Sequence, residues 1–206
     1  MSGQFSLEKL FEHLEGAGAN LDDINYLDFA DLMIDFTHTF SFIGKVVSLA
    51  FSDIATKAKY LKKNFKSTSF TGLQSMILDE IKCGTVRKEG KRPSTAITVL
   101  KLMWFSDFLR QIVLHLTTQL HWKLSKCVKV AYKETLSKHH PWTFRLAAKI
   151  GIKILPSRQE YMNKLFGNIP VEKQLELFRH LLELSDPLRD TLWGFYNENN
   201  LANIVK

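Results

Sequence analysis

The chain has 206 residues, 45% of them hydrophobic, which is enough for a sizeable core and makes one domain, residues 1–206, the default organisation. A formal net charge of +7 suits anionic partners such as phosphate-bearing ligands, an anionic membrane surface or nucleic acid, and equally suits a basic domain with no charged partner. Two cysteines, Cys83 and Cys127, stand too far apart for a metal-binding pair and read as inert thiols of a reduced intracellular protein.

No apolar run approaches the roughly 20 residues that would span a bilayer. The opening MSGQFSLEKLFEHL lacks the basic-then-apolar pattern of a signal peptide, and Ser2 departs from the myristoylation pattern. The expected location is cytoplasmic, with any membrane contact transient and at the surface.

Residues 4–14 alternate apolar and charged side chains as a short amphipathic helix does, and Gly16, Ala17 and Gly18 end it. Residues 20–23 read as the N-cap region of a helix starting near Ile24 and carrying Tyr26, Phe29, Ala30, Met33, Ile34 and Phe36. Residues 37–65 then run on without proline, with Phe40, Ile43, Val47, Ala50, Phe51 and Ile54 at helical spacing. Where that stripe should continue, Asp53 and Lys57 appear, four apart and on one helical face. They fit a polar site at the mouth of an apolar pocket and fit an ordinary surface pair. Lys59, Lys62, Lys63 and Lys66 close the segment with the positive charge that suits a helix C-terminus.

Residues 67–71 are a polar loop, and Leu73, Met76, Ile77 and Ile81 mark another helix. Residues 84–95, GTVRKEGKRPST, form a basic loop that reads as solvated. Residues 95–120 predict a long apolar helix containing Val99, Leu102, Met103, Trp104, Phe108, Ile112, Val113 and Leu116. Lys101 lies inside it, where a lone ammonium needs either a partner or a snorkelling path to water. Residues 122–136 are again helical, through Leu124, Val128, Ala131 and Tyr132, until His139, His140 and Pro141 interrupt. Trp142 opens a basic amphipathic helix ending before Pro156, and Ser157 caps a further short one. After a turn at residues 167–170, residues 171–184 and 187–196 predict two last helices, with Pro187 opening the second, before a polar tail. Nothing alternates with period two, so the fold class is all-α, with about eight helices.

Enzyme signatures are missing: no G-x-S-x-G, no P-loop, no H-E-x-x-H and no dinucleotide glycine fingerprint. His139 and His140 are adjacent and cannot form an i,i+4 metal face, so no metal site is expected. A hydrolase using His140 as base and Asp53 as its orienter is the enzymatic alternative, with no placed nucleophile. The basic residues form no stripe and no helix-turn-helix, RNP or zinc pattern, which argues against nucleic acid.

Four blocks carry a family resemblance: GKVVSLAFSDIATK at 44–57, TVLKL at 98–102, AYKETLSKHHPW at 131–142 and ILPSRQEYMNKL at 154–165. In this order and spacing the chain resembles the glycolipid transfer protein superfamily, closest to its ceramide-1-phosphate transfer branch. The resemblance implies a two-layer helical sandwich, monomeric and without cofactor, metal or catalytic residues. It would take one sphingolipid, with the ceramide chains in an apolar pocket and the headgroup at the surface.

By position, Asp53 would accept from the ceramide amide N–H and His140 would donate to its carbonyl, matching the one donor and one acceptor of an amide. Lys57 stands where sugar-reading branches tend to have Asn. Lys101 stands where they have a stacking Trp and phosphate-reading members an Arg. Two ammonium groups suit a phosphomonoester, but Ile97 replaces a second Arg one turn before Lys101, and Lys lacks the bidentate fork. Ceramide-1-phosphate transfer is therefore the leading reading. A neutral glycosphingolipid, sphingomyelin, or a lipid-sensing adaptor are the alternatives. Trp142, with Arg145, Lys149 and Lys153 on the following helix, would meet the membrane; the plainer reading makes Trp142 a core cap and the charges solvated.

Overall fold

The computed structural model describes residues 6–41, 45–65, 69–86 and 93–205, and among them the regular secondary structure is helical. Nine α-helices are present: α1 (Leu7–Gly18), α2 (Tyr26–Ser41), α3 (Lys45–Phe65), α4 (Leu73–Lys82), α5 (Thr95–Thr118), α6 (Leu124–Glu134), α7 (Trp142–Lys153), α8 (Arg158–Phe166) and α9 (Val171–Glu198). A single 3-10 turn, Leu136–Lys138, follows α6. Among the described residues the one sheet-like contact is an isolated antiparallel bridge between Asn25 and Gly72.

The helix starts differ instructively from expectation. Asn25, not residues 20–23, caps α2, its side-chain oxygen accepting from the amides of Leu27 at 2.9 Å and Asp28 at 3.1 Å. Asp23 instead serves α4, fifty residues on. Its carboxylate accepts from the amide of Ser75 at 3.0 Å and from the Ser75 hydroxyl at 2.5 Å. That approach requires Gly72, because a Cβ there would fall 1.9 Å from the Asp23 carboxyl carbon. Buried Gln74 ties the same corner by accepting from the Ile24 amide and donating to the Leu21 carbonyl.

The stretch 37–65 is not one helix: α2 runs to Ser41 and α3 begins at Lys45. Of its apolar stripe, Phe51 and Ile54 are buried, while Phe40, Ile43, Val47 and Ala50 lie outside the residues whose side chains the structure describes, as do Lys66 and the basic loop residues Arg87, Lys88, Lys91 and Arg92. At the C-terminal end the two helices expected at 171–184 and 187–196 are one, α9, with Pro187 inside it. Proline denies the Glu183 carbonyl its helical donor, yet the ring sits on the exposed side and the helix continues around it.

The described residues fall into two compact units. The first holds α1, α4, α2 as far as Asp35, α3 from Ile54, α5 as far as Met103 and α9 from Leu184. Its core includes Leu10, Leu14, Ile24, Tyr26, Leu61 and Leu73, and the Tyr196 hydroxyl donates to the Ala96 carbonyl at 2.7 Å, pinning the end of α9 to the start of α5. The second holds α6, α7, α8, the rest of α5, residues 36–53 and α9 as far as Glu183. Phe105, Phe108, Ile112, Cys127, Tyr161 and Phe178 are among its buried side chains.

Helix α5 is apolar nearly all round, as a buried helix must be. Its N-terminal amides are met by Glu80, which accepts from Thr95 at 2.6 Å and Ala96 at 3.0 Å. Its C-terminal end is met by Arg158, which donates to the carbonyls of Leu116, Gln119 and Trp122. An anion at the positive end and a cation at the negative end both complement the helix dipole.

Candidate functional site

His140 is placed by the way α6 stops. The hydroxyls of Thr135 and Ser137 donate back to the carbonyls of Ala131 and Lys133 at 2.7 and 2.9 Å, offering the backbone an alternative to further helix. One 3-10 turn follows, and Pro141 biases the residue before it away from helical geometry. The chain thereby doubles back, and His140 Nδ1 lies 2.9 Å from the hydroxyl of Tyr132, eight residues earlier. Phe108 meets the Tyr132 ring edge-on at 6.2 Å, and Phe144 stands 5.7 Å from the imidazole.

Half-buried among these rings, His140 has its pKa pushed below the ordinary histidine value by loss of solvent; the negative charge of Asp53 pulls the other way and does not win. Asp53 is exposed on α3 in the same unit. Two residues before it, Phe51 packs edge-on against Phe105 at 5.2 Å and anchors α3 to α5. The structure thus brings together Asp53 and His140 among the expected site residues. Lys57 and Lys101 belong to the other unit, each half-buried, one turn from Asp53 along α3 and one turn from Phe105 along α5. Ile97 is 2% exposed and is a core residue.

Next to His140, the His139 imidazole lies flat on the Trp104 indole, with centroids 3.6 Å apart and planes 8° from parallel. Burial against that ring lowers the His139 pKa, with smaller contributions from His140 and Lys138 in the same direction. Trp104 Nε1 is buried without a hydrogen-bond partner. Trp104 did not stand out in the sequence, because it occupies an apolar position of its helix, and Tyr132 lay inside the AYKETLSKHHPW block with no role read for it. The pairing Tyr-x7-His across a helix end obeys no period, and only the Thr135, Ser137 and Pro141 punctuation hinted at it.

Helix α7 is the most exposed apolar element described. Trp142, Leu146, Ile150 and Ile154 recur every fourth residue and are 68, 49, 56 and 63% exposed. Arg145, Lys149 and Lys153, all exposed, form the adjoining stripe, and Gly151 on the opposite side is the buried residue of the helix. Trp142 is therefore no core cap. No described helix is long and apolar enough to cross a membrane, and no group of three or more His, Cys, Asp or Glu converges as a metal site among the described residues.

The model of the family described as "Glycolipid transfer protein (GLTP)" matches residues 24–167. The zebrafish (Danio rerio) ceramide-1-phosphate transfer protein is 25% identical over an alignment of 224 residues that covers 99% of this chain and all of that protein. Among solved structures, mouse ceramide-1-phosphate transfer protein in its apo form superposes with a TM-score of 0.86 at 21% identity, covering 97% of this chain and 99% of the other. The human ceramide-1-phosphate transfer protein in complex with 12:0 ceramide-1-phosphate gives 0.85 at 17% identity, covering 98% and 99%. With its helices in this fold and the family model spanning α2 to α8, the chain belongs to the glycolipid transfer protein family.

Proposed function

We propose that this protein transfers a sphingolipid between membranes without chemical change, and that its cargo is ceramide-1-phosphate. The observation that carries this reading is the placement of Asp53 and His140 in one unit, with the carboxylate charge acting on a neutral-leaning imidazole. An amide has one N–H and one carbonyl, and this pair supplies one acceptor and one donor. Lys57 and Lys101 meet the headgroup: a phosphomonoester carries a charge of about −1.5 to −2 near neutral pH, which two ammonium groups balance. The full-length similarity to a zebrafish protein named for that lipid supports the choice. The chains enter an apolar pocket, the whole of residues 1–206 acts as one lipid transfer domain, and the protein works as a monomer at cytoplasmic membrane surfaces.

Helix α7 supplies the membrane contact. An exposed apolar arc beside a basic stripe is the pattern of a helix lying in the interface, with Trp142 at headgroup depth and Arg145 and Lys149 on anionic lipid heads.

A vesicle assay with labelled ceramide-1-phosphate and galactosylceramide tests the reading. The phosphate lipid moves faster; Lys57→Asn and Lys101→Ala each slow it, and His140→Leu slows both lipids. Faster transfer of the galactosyl lipid, or full transfer by the His140 variant, overturns it. A neutral glycosphingolipid is the second reading, favoured by one observation: buried Ile97 leaves no second cation one turn before Lys101.

A further inference from the structure

We propose that Tyr132 is a positioning residue which, through its hydroxyl, holds His140 as the tautomer with its proton on Nε2. The proposal rests on the reading that His140 donates to the lipid amide carbonyl. That role needs an N–H facing the ligand, and a neutral imidazole has only one.

The contact at 2.9 Å between Tyr132 Oη and His140 Nδ1 admits two arrangements. If Nδ1–H donates to the phenol oxygen, the phenol proton must find another acceptor, and Nε2 presents a lone pair to the carbonyl it is meant to hold. If Tyr132 donates to Nδ1, the phenol proton is used, Nδ1 is satisfied and Nε2 carries the hydrogen. The second arrangement pays no desolvation penalty for an unmade bond. The surroundings offer little competition: the Phe108 ring meets Tyr132 edge-on and the Phe144 ring flanks His140. Burial also keeps both partners in the protonation states this requires, raising the Tyr132 pKa despite Arg145 and lowering that of His140 despite Asp53. The turn that ends α6 thus folds a helix residue back onto the histidine that follows it, a second contact behind the ligand-facing one.

The test is nitrogen NMR of the full chain with 15N-labelled histidine at neutral pH, alongside ceramide-1-phosphate transfer between vesicles. Wild type shows the hydrogen on Nε2 of His140. Tyr132→Phe keeps the ring and its packing, raises the Nδ1–H population, and slows transfer by about two- to tenfold, the size of one net hydrogen bond. A wild-type hydrogen on Nδ1, an unchanged tautomer in Tyr132→Phe, or a changed tautomer with undiminished transfer overturns the proposal. The wild-type spectrum decides even if the variant folds poorly. His140→Leu in the same assay separates the two claims: undiminished transfer there removes the site reading itself, whatever the tautomer.

Discussion

The imidazole of His139 covers one face of the Trp104 indole at 3.6 Å, so two adjacent histidines point to different partners, one to tryptophan and one to tyrosine. Stacked aromatic pairs contribute about 0.5–1.5 kcal/mol beyond area burial. His139→Ala is expected to lower stability by about 1 kcal/mol in urea unfolding. Trp104→Ala costs about 3–5 kcal/mol, as large-to-small core changes do. Trp104→Phe costs far less than the alanine variant, because it also removes an indole N–H that has no partner.

Acid should weaken the protein through the same pair. Both histidines have pKa values lowered by burial, so the unfolded chain takes up protons first as pH falls. Stability is complete above the ordinary histidine value of about 6.5 and is lost as pH drops through the lowered folded values. The urea midpoint is expected to be highest at neutral pH and to fall through that window as the pH becomes acidic, and lipid uptake with it. Asp53→Asn removes the charge that favours protonated His140, so its titration moves to still lower pH.

Capping of α5 from a distance makes two further residues measurable. Arg158→Leu takes the guanidinium from the carbonyls of Leu116, Gln119 and Trp122, of which Gln119 keeps the Trp122 amide as donor, and is expected to cost about 2–4 kcal/mol, since hydrogen bonds to charged groups contribute about 1.5–3 kcal/mol. Glu80→Ala strips the caps from Thr95 and Ala96 and costs about 1–2 kcal/mol. Thermal unfolding of both variants checks the order, with Arg158 the larger.

These contacts mark where the sequence stopped being legible. Apolar spacing and capping residues placed helix in every region where the described helices lie and marked α5 as a long apolar one, because these patterns are written locally, but they missed the break between Ser41 and Lys45 and split α9 in two. They misassigned Asp23 and Pro187. The first is a cap spent on another helix, and the second a helix breaker overruled by an exposed position in a well-packed helix. Asp53, Lys57, Lys101 and His140 were singled out from ordered blocks of residues, whereas the partners of Tyr132 and Trp104 cannot be read until the chain is folded back on itself.

Trp142→Ala separates stability from membrane affinity. The side chain is 68% exposed, so stability should stay within about 0.5 kcal/mol. Vesicle partitioning should weaken by about 1–2 kcal/mol, the value of partly burying an indole in the interface. Centrifugation with anionic vesicles measures it, and equal binding by the two proteins would remove α7 from the membrane contact.

The division between the two units falls inside α2, α3, α5 and α9, never in a loop. No linker exists there for a protease to find, and neither unit can be cut out as one unbroken piece of chain. In α2, α3 and α5 the junction would have to break a running ladder of i to i−4 hydrogen bonds before one half could open alone, whereas in α9 Pro187 already removes the rung to the Glu183 carbonyl. Hydrogen exchange should therefore report the slowest amides of α3 and α5 on both sides of residues 53 and 103 leaving together, in a single global event.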